Sequence, residues 1–74
     1  MYNLTINNQN YVFTNNQQWL DNDTFSVIAI CGDKEYCIDY DAPNAPEGEE
    51  ENTDWEAPTL ISRMSDGATI YATS

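Results

Sequence analysis

No histidine occurs among the 74 residues, and Lys34 and Arg63 are the only basic side chains. Without an imidazole, general-base chemistry falls to a carboxylate, a cysteine or a lysine. No such group here stands in a pattern that gives a nucleophile an orienting partner, so the expectation is a protein that is not an enzyme. Asp39 and Asp41 have the composition of a glycosidase pair, but so short a chain could hardly wall a sugar cleft around them. The shortage of cations has a second consequence. Against two of them stand 13 Asp and Glu, a formal net charge of -11, so most carboxylates lack an internal partner. Direct binding of nucleic acid or of an anionic membrane is disfavoured, and cationic proteins are attracted.

Soft ligands are equally scarce. Cys31 and Cys37 are the only cysteines, too few for zinc or an iron–sulfur cluster within one chain and not in Cys-x-x-Cys spacing. They read as free thiols packed as small apolar groups in a reducing compartment. Hard ligands do occur, in Asp21-Asn22-Asp23 and from Glu47 to Glu56, yet no window has the alternating acids, central glycine and closing glutamate of a calcium loop. No metal or cofactor is expected. There is neither a basic segment after Met1-Tyr2-Asn3 nor a long apolar stretch, so the reading is cytoplasmic, with no secretory signal and no membrane span. The sequons at Asn3-Leu4-Thr5 and Asn22-Asp23-Thr24 read as unmodified on the same ground.

What is present is enough to fold. Hydrophobic residues make up 41% and aromatics 12%, above the level of a disordered acidic tail, and 74 residues allow one domain (1–74) with a modest core. Surface scaling gives a folded area of roughly 4,600 Å², about one net charge per 420 Å², and self-repulsion at that density costs stability.

Alternation with period two runs through the chain. Tyr2, Leu4 and Ile6 face one way and Asn3 and Thr5 the other, which predicts a strand; Asn7 to Asn10 predicts its turn and Tyr11 to Phe13 the return. Asn15 to Asn22 is amide-rich around Trp19-Leu20, and the reading favoured is a short helix capped by Thr14, with an irregular loop as the alternative. Thr24 to Cys31 is β-branched and almost wholly apolar, predicting a central strand buried on both faces. Gly32-Asp33-Lys34 turns the chain into a strand from Glu35 to Tyr40. Residues 41–54, with Pro43, Pro46, Gly48 and three consecutive glutamates, read as a mobile acidic loop. Thr59 to Met64 reads as a strand, or as a short helix after Pro58, and Ser65-Asp66-Gly67 leads to a last strand, Ala68 to Thr73. The fold expected is mainly β, or α+β. It is a small antiparallel sheet of about four to six strands built from hairpins, with at most one short helix and the long acidic loop.

The acids are not spread evenly. Asp21, Asp23, Asp33, Glu35, Asp39 and Asp41 form one group and Glu47, Glu49, Glu50, Glu51, Asp54 and Glu56 another, with Asp66 apart. Their concentration between positions 21 and 56 predicts one anionic surface on the second hairpin and the loop after it. On a strand, Asp39 and Asp41 project to one side about 7 Å apart, of the order of alternate phosphates along a DNA axis.

In size, charge and strand content the chain resembles the small acidic inhibitors that phages direct against host enzymes: anti-restriction proteins, anti-CRISPR proteins and uracil-DNA glycosylase inhibitors. The resemblance covers positions 21–56 and carries no diagnostic motif. It implies a DNA mimic whose carboxylates occupy the nucleic-acid-binding surface of a basic protein, an enzyme or complex of host defence or DNA processing. Asp39, Asp41, Glu47, Glu49, Glu50, Glu51, Asp54 and Glu56 would carry the charge, and exposed aromatics such as Trp55 or Tyr40 would anchor the contact. The alternatives are a non-catalytic assembly module pairing through an edge strand as a homodimer, and an acidic immunity protein or antitoxin. A solvated loop that only confers solubility is the plainer reading of the acidic run.

Overall fold

The computed structural model describes residues 2–20, 24–41 and 53–73. Six strands form one antiparallel meander: β1 (Asn3–Ile6), β2 (Gln9–Trp19), β3 (Thr24–Cys31), β4 (Lys34–Asp41), β5 (Leu60–Arg63) and β6 (Thr69–Ala72). Each pairs with its chain neighbours in the order β1-β2-β3-β4-β5-β6, and the sheet curls into an open half-barrel. No helix occurs among the described residues.

The turns explain the hairpins. Asn7 and Asn8 both have positive φ, 53° and 68°, the pair of left-handed residues that a tight β1–β2 turn demands and that asparagine tolerates. Gly32 supplies φ 68° at the first position of the two-residue β3–β4 turn. In the β5–β6 turn Asp66 accepts two hydrogen bonds from the Arg63 guanidinium and one from the Ala68 amide.

Alternation then decides what is buried. Leu4, Tyr11, Phe13, Phe25, Val27, Ala29, Ile38, Tyr40 and Ile61 form the core on the inner face of the curl. The register stacks them across strands: Leu4 opposite Tyr11, Phe13 opposite Ala29, Phe25 opposite Tyr40, Val27 opposite Ile38, and Ile38 opposite Ile61. With no second layer in the described fold, curvature and one covering segment must exclude water from this face. That segment is 53–58, where Trp55 packs its ring against Tyr2, Phe13, Phe25 and Tyr40 at centroid separations of 6.1, 5.6, 6.0 and 5.3 Å.

Two expectations change. The short helix favoured from Asn15 is absent as far as the described residues reach: β2 runs on to Trp19, which lies opposite Phe25. The Thr14 hydroxyl does accept the Asn16 amide, as a helix cap would, but it also donates to the Ile28 carbonyl at 2.8 Å. It thus bridges the register shift between Phe13 and Gln17 and ties the segment to the sheet. Of the two readings of Thr59 to Met64 the strand is the one found, as β5 (Leu60–Arg63). The central strand β3 is not buried on both faces, since Ile28 is half-buried and Ile30 is 39% exposed on the outer side.

Candidate anionic interface

Asp39 and Asp41 sit on β4 on the outer face of the sheet, opposite Ser26 and Thr24. They share that face, as their spacing predicts, but their surroundings differ. Asp39 is half-buried and its Oδ1 accepts from the Ser26 hydroxyl and, at 3.3 Å, from the Cys37 thiol. The Ser26 side chain is buried, so Asp39 satisfies a hydroxyl that water does not reach. Asp41 is exposed and accepts from Thr24 at 3.2 Å. Burial, reinforced by the neighbouring Asp39 charge, pushes the Cys37 thiol upward, away from the thiolate that a reactive cysteine needs. Cys31 faces inward against the core and Cys37 outward beside Asp39. Both thiols are free, and the strand alternation that separates them across the sheet keeps them from pairing.

Asp54 and Glu56 lie on the covering segment. Both are exposed, and both hold the segment's shape: Asp54 Oδ1 accepts the Glu56 amide at 3.2 Å, the Asp54 carbonyl accepts the Ala57 amide, and Glu56 accepts the Tyr2 hydroxyl. Trp55 between them is half-buried among four rings and is not the freely exposed anchor expected. Tyr40 is a correction, since it is fully buried. Its hydroxyl donates to the Trp55 carbonyl at 2.8 Å, and burial, with Asp54 nearby, holds its pKa far above the ordinary tyrosine value. Glu47, Glu49, Glu50 and Glu51 fall outside the described residues.

Among the described carboxylates, Glu35, Asp39 and Asp41 share the outer face of the sheet, and Asp54 and Glu56 lie on the segment that covers the inner one. The three tight turns, at 7–8, 32–33 and 64–66, meet at one end, and both cations are there. Arg63 pairs with Asp66 at 3.0 Å, which pulls Asp66 down to about 2, and Lys34 begins β4 beside Asp33 and Glu35. Of the remaining described carboxylates, Asp39 and Asp41 lie on β4 and Asp54 and Glu56 on the covering segment. Leu20, Thr24 and Asp41 lie at the opposite end, where the Leu20 amide bonds the Thr24 carbonyl and Thr24 pairs with Asp41. None of the known family models, curated proteins or solved structures matches the chain. No group of three or more metal-ligating side chains occurs among the described residues, and among them there is no helix long and apolar enough to cross a membrane.

Two features escaped the sequence reading. Tyr2 is drawn into the covering segment through Glu56 and Trp55, a contact between chain ends that no local pattern signals. Glu35 shares the outer face with Asp39 and Asp41, which the period of two could have found.

Proposed function

We propose that the protein is a non-catalytic acidic inhibitor that docks on the nucleic-acid-binding surface of a basic partner, its carboxylates standing where phosphates would lie. The observation that supports this is the charge imbalance with its placement: 13 carboxylates stand against two basic side chains, and both of these lie at the turn end, where Arg63 is already paired with Asp66. Electrostatic recognition gains from such an excess, because a basic partner meets charge that the chain's own cations do not neutralise.

The test is competition. Immobilised protein is offered a set of purified nucleic-acid-binding enzymes at low salt, and duplex DNA is then added. Displacement by DNA, and loss of binding on replacing Glu49, Glu50 and Glu51 by Gln with an unchanged melting transition, are the expected results. Retention in the presence of excess duplex would show that phosphate positions are not the ones occupied.

A second reading has one observation in its favour. Neither edge strand, β1 or β6, contains a charged residue or a proline, the devices that ordinarily keep edges apart. A β-sheet homodimer through these edges would elute at twice the monomer mass and would dissociate when Thr5 or Ile70 is replaced by proline.

A further inference from the structure

The outer face of the central hairpin carries more than charge. On β4, Glu35, Cys37, Asp39 and Asp41 form a column down this face, and the register sets a second column from β3 beside it: Ile30 opposite Glu35, Ile28 opposite Cys37, Ser26 opposite Asp39 and Thr24 opposite Asp41. Val12 on β2 extends the upper row, lying opposite Ile30, and Leu60 on β5 lies opposite Asp39. Val12, Ile28 and Leu60 are half-buried and Ile30 is exposed. Trp55 and its neighbours cover the inner side. An aliphatic strip thus runs beside a line of carboxylates, the arrangement of an interface with an apolar centre and a charged rim.

We infer that this outer face of β3 and β4 is a docking surface for a cationic partner hairpin that presents a row of basic side chains beside a row of aliphatic ones. The inference rests on the charge-based reading above and assigns that reading a surface. A second copy of the chain is the wrong occupant on electrostatic grounds. It would set carboxylate columns against each other, each from a chain of net charge -11, and like charges across an interface are strongly unfavourable. A purely polar cationic partner would leave Ile30 and Val12 facing water. A partner that sets a basic row beside an aliphatic row on one face, as two adjacent strands of a hairpin do, satisfies both columns at the spacing the strands impose.

Two synthetic β-hairpin peptides serve as probes, matched in length and charge: each carries lysine along the binding face of one strand, and the binding face of the other strand carries isoleucine in one peptide and serine in the second. The isoleucine peptide should bind the wild-type protein about tenfold more tightly, the scale expected for burying part of an aliphatic side chain. Ile30→Ser should erase that preference without weakening the serine peptide, and Asp41→Asn should weaken both. Equal binding of the two peptides, unchanged by Ile30→Ser, would overturn the docking surface and leave the charge reading standing. Binding of neither at low salt would remove the charge reading and this surface with it. If Ile30→Ser does not fold, amide shift mapping on the wild-type protein decides. Perturbation at Val12, Ile28 and Ile30 by the isoleucine peptide alone supports the surface, and perturbation elsewhere refutes it.

Discussion

Replacing Trp55 by alanine separates two roles the residue could have. If it anchors a partner, its loss weakens binding and spares the fold; if it seals the inner face, its loss unfolds the protein. The structure favours the second. The indole meets four rings at 5.3–6.1 Å, its carbonyl accepts the buried Tyr40 hydroxyl, and it covers a sheet face that no second layer of the described fold protects. Truncation of a fully buried tryptophan costs about 3–5 kcal/mol, and half-burial scales this to about 2–3. Against a total of about 4–11 kcal/mol for a domain of this length, that is a large share. The melting temperature should fall by roughly 10–20 °C. Urea unfolding followed by circular dichroism, with Trp19 fluorescence as a second probe, measures the change. A loss below about 0.5 kcal/mol, the scale of an ordinary surface substitution, would refute the sealing role and return Trp55 to the partner surface.

Other outcomes follow from individual contacts. Asp39→Ala strands the buried Ser26 hydroxyl and should cost about 1–2 kcal/mol, whereas Asp41→Ala, at an exposed position, should stay within about 0.5 kcal/mol; equal costs would show that the two acids do not differ in role. In alkali, the unfolded chain ionises its tyrosines near pH 10 while burial keeps Tyr40, and more weakly Tyr11, protonated in the fold. Their contribution to stability is therefore complete below pH 10 and is lost as pH rises above it, and absorbance at tyrosinate wavelengths should rise together with the loss of strand signal. Tyr40→Phe should flatten that alkaline limb. Gly32→Ala meets no atom within 4 Å, so its cost is conformational alone, about 1–2 kcal/mol for positive φ, measurable by thermal melting.

The parts of the fold legible in the sequence are those where local chemistry and long-range pairing agree. Gly32 and the Asn7-Asn8 pair announce turns that need positive φ, and β3 and β4 alternate in phase, so the central hairpin could be placed almost to the residue. The second half of β2 could not. Asn15, Asn16, Gln17 and Gln18 are all exposed, so no apolar alternation marks them as strand. The ladder to β3 and the Thr14 bridge across the register shift hold them there, and both depend on residues a dozen positions away. The candidate site shows the same division. Spacing alone placed Asp39 and Asp41 on one face, but only the register reveals that Asp39 is occupied by Ser26 and that Ile28 and Ile30 flank the acids. Cation placement was illegible for a related reason: Lys34 and Arg63 lie far apart in sequence and share the turn end only because β4 and β5 are antiparallel.

That shared position ties stability and binding to one variable, ionic strength, with opposite signs. Thirteen carboxylates against two basic side chains repel one another in the folded chain more than in the expanded unfolded one. Added sodium chloride shortens the screening length from about 14 Å at 0.05 M to about 4 Å at 0.5 M, so the melting temperature should rise over that range. Capture of a basic partner depends on the same unscreened field and should fall. A solubility domain with dispersed charge would show the first effect weakly and the second not at all, and a dimer held by β1 and β6 edges would show salt-tolerant association. Opposed slopes measured in one salt series, on one sample, would therefore be expected only if the charge that strains the fold is the charge that recognises the partner; slopes of the same sign would mean that these are different groups.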